Sequence, residues 1–278
     1  MKCLIIAAGY ATRLYPLTEN FPKPLLKVGG KPILDWLIED LNQTGLIDEY
    51  IVVTNHKFAP IFEEWAAERG VPSGTSLRDP SHKWAPPSYD AEGGTVPEGT
   101  PLSTAPFITV IDDGTSSNET RLGAVRDIEL GIKARGVDDD LLVMAGDNLL
   151  SFSLSGFLEY FREKGTTCIM RFYQPDLNKL HKSGVAEVDA EGRILSMEEK
   201  PAHPKSHWCC PPFYIYRKAD LPLVSAGIEA GCGTDAPGSF IAWLCTQTTV
   251  HAWEMPGCRY DIGNLESYQE VQRIFEKK

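Results

Sequence analysis

Much of what organises small functional domains is missing from this 278-residue chain. It carries seven cysteines, yet the count is odd and no two of them stand in a Cys-x-x-Cys spacing. A disulfide framework or a thiol redox pair is therefore not expected. His203, His207, Cys209 and Cys210 lie close together, but their spacing fits no zinc pattern, and adjacent cysteines rarely ligate one ion. They read better as loop or core residues. No Gly-x-Gly-x-x-Gly run and no Gly-Lys-Ser/Thr triplet occurs, which excludes the dinucleotide fingerprint and the Walker loop. The first apolar run, Leu4 to Ala8, follows Met1-Lys2-Cys3 directly and is too short for a signal peptide or a membrane span. A reduced, cytoplasmic protein is the expectation. Positive charge is also in deficit, with 27 Lys and Arg against 38 Asp and Glu and a net charge of -11. Nucleic acids and membrane surfaces are polyanions, so neither is an expected partner.

What is present is a hydrophobic content of 42%, enough for a full core. The basic residues are concentrated at the start. Lys2, Arg13, Lys23, Lys27 and Lys31 face a single acid, Glu19, within the first 31 residues. A local excess of this kind suits a small anion, although a solvated surface would show the same composition. The apolar run from Cys3 reads as a strand buried on both faces. Helical spacing follows over Pro32 to Thr44, closed by Gly45. A second strand (Tyr50 to Thr54) and a second helix (Phe58 to Arg69) complete a βαβα order, which predicts a parallel sheet covered by helices. Residues 70–106 are rich in Gly, Pro, Ser and Thr and read as an insertion. Beyond them the pattern predicts strands at 107–111, 141–145, 167–172, 213–217 and 251–255. Helices are predicted at 121–135, 155–164, 239–247 and 264–276, and a hairpin joins 186–189 to 193–197. One domain of two intimate halves, 1–150 and 151–278, accounts for the whole.

The chemistry-bearing residues begin at the first strand's end. Gly9-Tyr10-Ala11-Thr12-Arg13-Leu14 places small residues where backbone N–H groups can receive phosphate. Arg13 can fork onto phosphate oxygens, and Lys23, held between Pro22 and Pro24, can act as a point charge. Asp147 ends an apolar strand, at the edge where open α/β sheets bind ligands. Asp261 follows a later strand-like stretch. The two carboxylates would repel each other at close range unless a cation lay between them. Each aspartate alone is equally readable as a turn or cap residue.

The run Ala7-Ala8-Gly9-x-x-Thr12-Arg13-Leu14-x-Pro16-Leu17-Thr18, then Pro22-Lys23-Pro24-Leu25, resembles the signature of the sugar-1-phosphate nucleotidyltransferases. Gly146-Asp147-Asn148, Glu199-Lys200-Pro201 and Asp261-Ile262-Gly263 extend the resemblance over nearly the whole chain, apart from 70–106. Ala11 departs from it, since the family loop usually carries Gly there. The resemblance implies a Rossmann-like three-layer α/β/α sandwich with a mixed, mostly parallel central sheet. It implies transfer of a nucleoside monophosphate from an NTP to a sugar 1-phosphate with release of pyrophosphate, dTTP or UTP and glucose 1-phosphate being favoured. Arg13 and Lys23 would be catalytic. Ala8, Gly9, Tyr10, Ala11 and Thr12 would bind the nucleotide, with Asn118 and Gly123 reading the base. Asn148, Glu199 and Lys200 would bind the sugar phosphate, and Asp147 and Asp261 would hold Mg²⁺. Arg121 would approach the triphosphate. Local readings stay open for several of these: an Asx turn for Asn118, and a solvated charge run with Glu198 for Glu199 and Lys200.

Two other functions fit the same residues. A cytidylyltransferase acting on phosphocholine or a phosphonate would need an aromatic cage, for which Trp208, Phe213, Tyr214 and Trp253 are available. A non-catalytic nucleotide-sugar sensor would be expected to lose the carboxylates or the lysines, and this chain keeps them. No hexapeptide repeats follow the last helix, so a fused acetyltransferase is not expected. The resemblance leaves a homo-oligomer open.

Overall fold

The computed structural model describes residues 1–69 and 106–275. The predicted insertion lies outside the described residues except for Pro106. Along the chain run β1 (Lys2–Ile6), β2 (Lys27–Val28), β3 (Lys31–Pro32), α1 (Ile33–Thr44), β4 (Glu49–Thr54), α2 (Ala59–Ala67), β5 (Phe107–Asp112) and α3 (Ala124–Arg135). These are followed by β6 (Leu141–Ala145), β7 (Asn148–Leu150), α4 (Ser155–Lys164), β8 (Thr167–Tyr173), α5 (Leu177–Leu180), β9 (Gly184–Val188) and β10 (Ile194–Glu199). The chain closes with β11 (Trp208–Cys210), β12 (Phe213–Tyr216), α6 (Leu223–Glu229), α7 (Gly238–Leu244), β13 (Val250–Glu254), β14 (Arg259–Asp261) and α8 (Leu265–Phe275).

One mixed sheet of ten strands forms the middle layer of a Rossmann-like fold, in the order β10-β9-β11-β8-β12-β6-β1-β4-β5, with β13 beside β8. The strands β6-β1-β4-β5 are parallel. From β12 onward antiparallel pairs dominate, broken by the parallel β8–β13 pair. The continuous apolar runs follow from burial on both faces. Cys3, Ile5, Tyr50, Val52, Leu142 and Met144 pack with α1, α2 and α4 on one side. Their neighbours Leu4, Ile51, Val53, Leu141 and Val143 pack with α3, α6 and α7 on the other. A strand sends alternate side chains to opposite faces, so a polar group in these stretches needs a buried partner, as the Tyr50 hydroxyl has in Asn42 Oδ1 at 2.7 Å.

Two local breaks open this sheet where the functional residues lie. The segment from Trp208 to Tyr216 runs antiparallel to β8 throughout, first as β11 and then as β12. Its first part pairs with β9 and its second with β6. Pro211 and Pro212 sit at the changeover and offer no N–H to either neighbour. The sheet therefore splays between β6 and β9. The second break follows β6, where Gly146-Asp147 leads into β7, which pairs with β14 in a separate two-stranded ribbon.

Helix α3 lies close on β1 because Gly131 has no side chain. A Cβ built there would collide with Leu4 Cδ1 and lie 3.2 Å from Val53 Cγ2. Gly131→Val is expected to lower stability by about 1–3 kcal/mol, the usual cost of overpacking a filled core. The urea midpoint should fall without a change in slope.

Candidate active site

A cleft of about 430 Å³ opens at the splay, between the carboxyl ends of β1 and β6 on one side and β9, β10 and β11 on the other. The loop after β1 forms one lip. Its carbonyls are tied down by Thr18, which belongs to the signature run, and by Thr54 and Asn55, which carry no signal in the sequence. Thr54 donates its hydroxyl to the Ala7 carbonyl at 3.3 Å, and Asn55 Nδ2 donates to that of Ala8 at 3.0 Å. Thr18 donates to the Ala11 carbonyl at 2.8 Å, and the Leu14 N–H does so at 2.9 Å. Thr18, Thr54 and Asn55 are fully buried. Among the described residues no acceptor takes the N–H groups of Gly9, Tyr10, Ala11 or Thr12. Backbone donors are almost always paired, so a run of free ones at a cleft is a ready anion cradle. Gly9 lines the cleft, and a Cβ added to it would meet nothing within 4 Å, so its bare Cα leaves open room.

Ala11 also lines the cleft and adopts a left-handed backbone, φ 48° and ψ 41°. Glycine takes that conformation freely, whereas a Cβ costs roughly 1–2 kcal/mol. Ala11 packs, partly buried, against the apolar cluster that contains Leu14, Leu26 and Ile262, which recovers part of the cost.

The opposite wall of this lip holds a closed ring of five side chains. Lys23 is 7% exposed, and its Nζ lies 2.7 Å from Asp147 Oδ2 and 4.0 Å from Asp261 Oδ1. Asn148 Nδ2 donates to Asp147 Oδ1 at 2.7 Å. Arg259 Nη1 donates to Asn148 Oδ1 at 2.6 Å and stands 3.6 Å from Asp261 Oδ2. The β7–β14 ribbon places Asp261 opposite Asn148. Arg259 can only donate and Asp147 only accept, so the Asn148 amide has one orientation available. Asn148 is buried and spends both heteroatoms inside the ring, as a clamp. The resemblance had placed it on the sugar phosphate. Arg259 carried no signal in the sequence beyond standing two residues before Asp261.

On the far wall, Glu199 ends β10 with its carboxylate beside Gly184 and Gly238, where any added Cβ would crowd it. Burial raises its pKa; nearby Lys200 opposes the rise and Asp235 adds to it. Among the described residues its carboxylate makes no hydrogen bond or ion pair. Lys200 follows at φ 50°, exposed and off the cleft wall, while Lys182 lines it. Arg13 and Lys182, cations whose side chains have no partner among the described residues, thus stand on different walls of one cleft.

Several predicted residues lie apart. Ala8 is buried behind the loop, Thr12 is exposed, and neither lines the cleft. Tyr10 is buried against Phe58 and donates to the Thr115 carbonyl at 3.1 Å. Asn118 accepts from Arg121 at 2.9 Å, and Arg121 grips Asp235 through two nitrogens at 3.1 and 2.7 Å. Gly123, at φ +92°, lets the chain pass Thr234, whose carbonyl oxygen would lie 2.5 Å from a Cβ. Neither Asn118 nor Gly123 lines the cleft. The aromatic cage does not assemble. Phe213 and Tyr214 are consecutive on β12 and face opposite sides of the sheet, and Trp253 stacks on Phe157.

The arrangement defines a class: an α/β protein with a cleft at the carboxyl edge of its parallel strands, where unpaired backbone N–H donors suit an anion and carboxylates meet a buried ammonium at one focus. The chain belongs to the nucleotidyl transferase family, whose sequence profile matches residues 2–278. Glucose-1-phosphate thymidylyltransferase of Streptomyces griseus is 28% identical over 276 residues, covering 99% of this chain and 66% of that protein. Glucose-1-phosphate adenylyltransferase of Fervidobacterium nodosum is 24% identical over 276 residues, covering 96% of this chain and 59% of that one. The chain thus spans slightly less than two thirds of these relatives' length. A solved UDP-glucose pyrophosphorylase without ligand has a TM-score of 0.73 at 21% identity, covering 99% of this chain and 98% of the other. The UDP-glucose complex gives 0.72 at 20%, with the same coverage. At these identities the solved structures share the fold.

Behind the loop sits an acidic pair. Asp127, in the first turn of α3, and Asp113 each bury one carboxyl oxygen without a donor. Burial, then the charge of Asp113, pushes Asp127 up to about 7. Between about pH 4 and pH 7 the folded chain keeps a proton that the unfolded chain has released, so stability falls as pH rises through that window. Asp127→Asn should be more stable than the unmutated protein at pH 8, by an amount on the order of 3 kcal/mol. The gap should close near pH 4; denaturant titrations at the two pH values check it. Ala11→Gly should raise stability by about 0.5–1 kcal/mol, the left-handed strain relieved less the added freedom of the unfolded chain. Thermal melting reads this directly.

Proposed function

We propose that this chain transfers a nucleoside monophosphate from an NTP to a sugar 1-phosphate, giving an NDP-sugar and pyrophosphate. One observation carries the reading: Gly9 and Ala11, whose N–H groups meet no acceptor among the described residues, line a single cleft with the Lys23–Asp147–Asp261 group. The family and the relatives' names agree with it. Relatives named for thymidylyl and adenylyl transfer show that the family does not fix the base. A dTTP or UTP donor and a glucose 1-phosphate acceptor are the pair we favour, with the protein acting in nucleotide-sugar biosynthesis. We place it in the cytoplasm. Among the described residues no helix is long and apolar enough to cross a membrane.

The acceptor's phosphate oxygen attacks the α-phosphorus; that P–O bond forms as the bond to the β-phosphate oxygen breaks, and pyrophosphate leaves. The nucleophile is already an anion, so no general base is required. Positioning and charge stabilisation supply the catalysis. The loop N–H groups seat the triphosphate, and Arg13 holds the departing pyrophosphate. Lys23 neutralises charge at the α-phosphate. Glu199 accepts from sugar hydroxyls, its carboxylate lining the far wall without a hydrogen bond or ion pair among the described residues. Lys182, and Lys200 after a side-chain swing, meet the acceptor phosphate.

The donor set of Asp147 and Asp261 is all oxygen, with no His or Cys, which fits a hard cation. Among the described residues no three acidic, His or Cys side chains group as a full metal shell. Such a set fits Mg²⁺, which takes one or two carboxylates and completes its shell with phosphate oxygens and water. When bound, Mg²⁺ would neutralise charge on the reacting phosphates.

Pyrophosphate release should be assayed with each NTP against sugar phosphates and phosphocholine, with and without Mg²⁺. Turnover is expected with a sugar 1-phosphate and only with the metal. Lys23→Ala should lower kcat by at least about 100-fold while the circular dichroism spectrum stays unchanged. Near-normal turnover in that variant would sink the assignment of Lys23.

A further inference from the structure

Each carboxylate of the ring turns one oxygen to Lys23 and has the other engaged elsewhere. Asp147 Oδ2 accepts from Lys23 at 2.7 Å, while Oδ1 accepts from Asn148. Asp261 Oδ1 lies 4.0 Å from Lys23, while Oδ2 faces Arg259. A cation seated between the two aspartates would therefore meet Asp147 at the oxygen that the ammonium holds and Asp261 at the oxygen that faces the ammonium. Two cations within a few ångströms of each other in a half-buried wall repel strongly. Lys23 is too buried to be left without an anion. Leaving Asp147 is therefore costly without another anion nearby, so in the nucleotide-free protein only a high concentration of divalent cation displaces Lys23, whereas a nucleotide phosphate on the Gly9–Thr12 loop offsets that cost.

We propose that Lys23 is the resident counter-ion of the Asp147–Asp261 pair in the nucleotide-free protein and competes with the divalent cation for Asp147 Oδ2. The metal then enters with the nucleotide, and Lys23 is transferred from carboxylate to phosphate in the same event. Asn148 and Arg259 are positioning residues in this exchange. They hold the outer oxygens of both aspartates while the inner ones change partner. This inference rests on the reading of Asp147 and Asp261 as the metal carboxylates of a transferase.

Mn²⁺ is the probe, and its binding to nucleotide-free protein is followed by electron paramagnetic resonance. Lys23→Gln should bind Mn²⁺ at least tenfold more tightly than the unmutated protein. Lys23→Arg, which keeps the counter-ion, should stay within about threefold of it. Adding Asp147→Asn to Lys23→Gln should abolish the gain. Equal or weaker Mn²⁺ binding by Lys23→Gln overturns the proposal, as does a gain that survives loss of the Asp147 charge. If Lys23→Gln does not fold, the unmutated protein decides the matter. With ¹³C-dimethylated lysines, the Lys23 resonance, assigned by its loss in Lys23→Arg, should shift as Mg²⁺ saturates the site. A resonance unmoved at saturation overturns the exchange. None of these readouts contains NTP or acceptor. Failure of the transferase reading appears separately, as no pyrophosphate release by the unmutated protein.

Discussion

The ion pair between Lys23 and Asp147 holds together three distant parts of the chain. Lys23 stands on a short turn fixed by Pro22 and Pro24 beneath β1's loop. Asp147 leaves β6, and Asp261 ends β14 more than a hundred residues later. Two aspartates at this distance are unfavourable without a positive charge between them, and a buried lysine is unfavourable without a negative one. Each is therefore tolerated because the other is present. The loop of Gly9 to Thr12, the β7–β14 ribbon and the far wall across the cleft all take their positions around that group.

The cleft exists because the sheet fails locally. A strand from Trp208 to Tyr216 without Pro211 and Pro212 could pair along its whole length with one neighbour, and the sheet would close over the site. With the two prolines, β9 and β10 turn away from β6, and Glu199 at the tip of β10 comes to face the phosphate loop. Gly184 and Gly238 make room for that carboxylate. In the proposed reaction the parallel half of the sheet would give a rigid edge for the nucleotide, and the antiparallel half a separately placed wall for the acceptor.

The parallel half was legible because its physics is local. Unbroken apolar runs read as strands buried on two faces, and amphipathic spacing with Pro32 before it and Gly45 after it marked α1 to within a residue. Ser155–Lys164 was read at its full length. Short elements were missed: α6 is seven residues without strong periodicity, and β7, β11 and β14 are three residues each. Yet β14 and β7 carry Asp261 and Asn148. Long-range pairing, with no local signal, decides what such strands do. Thr54 and Asn55 were likewise invisible, since a buried polar side chain that ties down a carbonyl looks like any strand-end residue, while Thr18 stood in the signature run without its anchoring role being legible. Asn118 and Gly123 show the converse. Their letters were read for chemistry, while the chain uses one to hold Arg121 and the other to pass close to Thr234.

Ala11 brings these arguments to one atom. A phosphate loop needs its N–H groups free, and freeing them means denying them the partners that helix or sheet would supply. Here that is achieved by fixing the carbonyls of Ala7, Ala8 and Ala11 to Thr54, Asn55 and Thr18. Such anchoring can hold a residue in a left-handed backbone even when it is not glycine, because the surrounding bonds over-determine the conformation. Ala11 also packs against the apolar cluster that contains Leu14, Leu149 of β7 and Ile262, the residue after β14. A glycine would relax the backbone and lose that contact. Alanine therefore couples the shape of the anion cradle to the strand that presents the second carboxylate, and links the two working parts of the site through apolar packing.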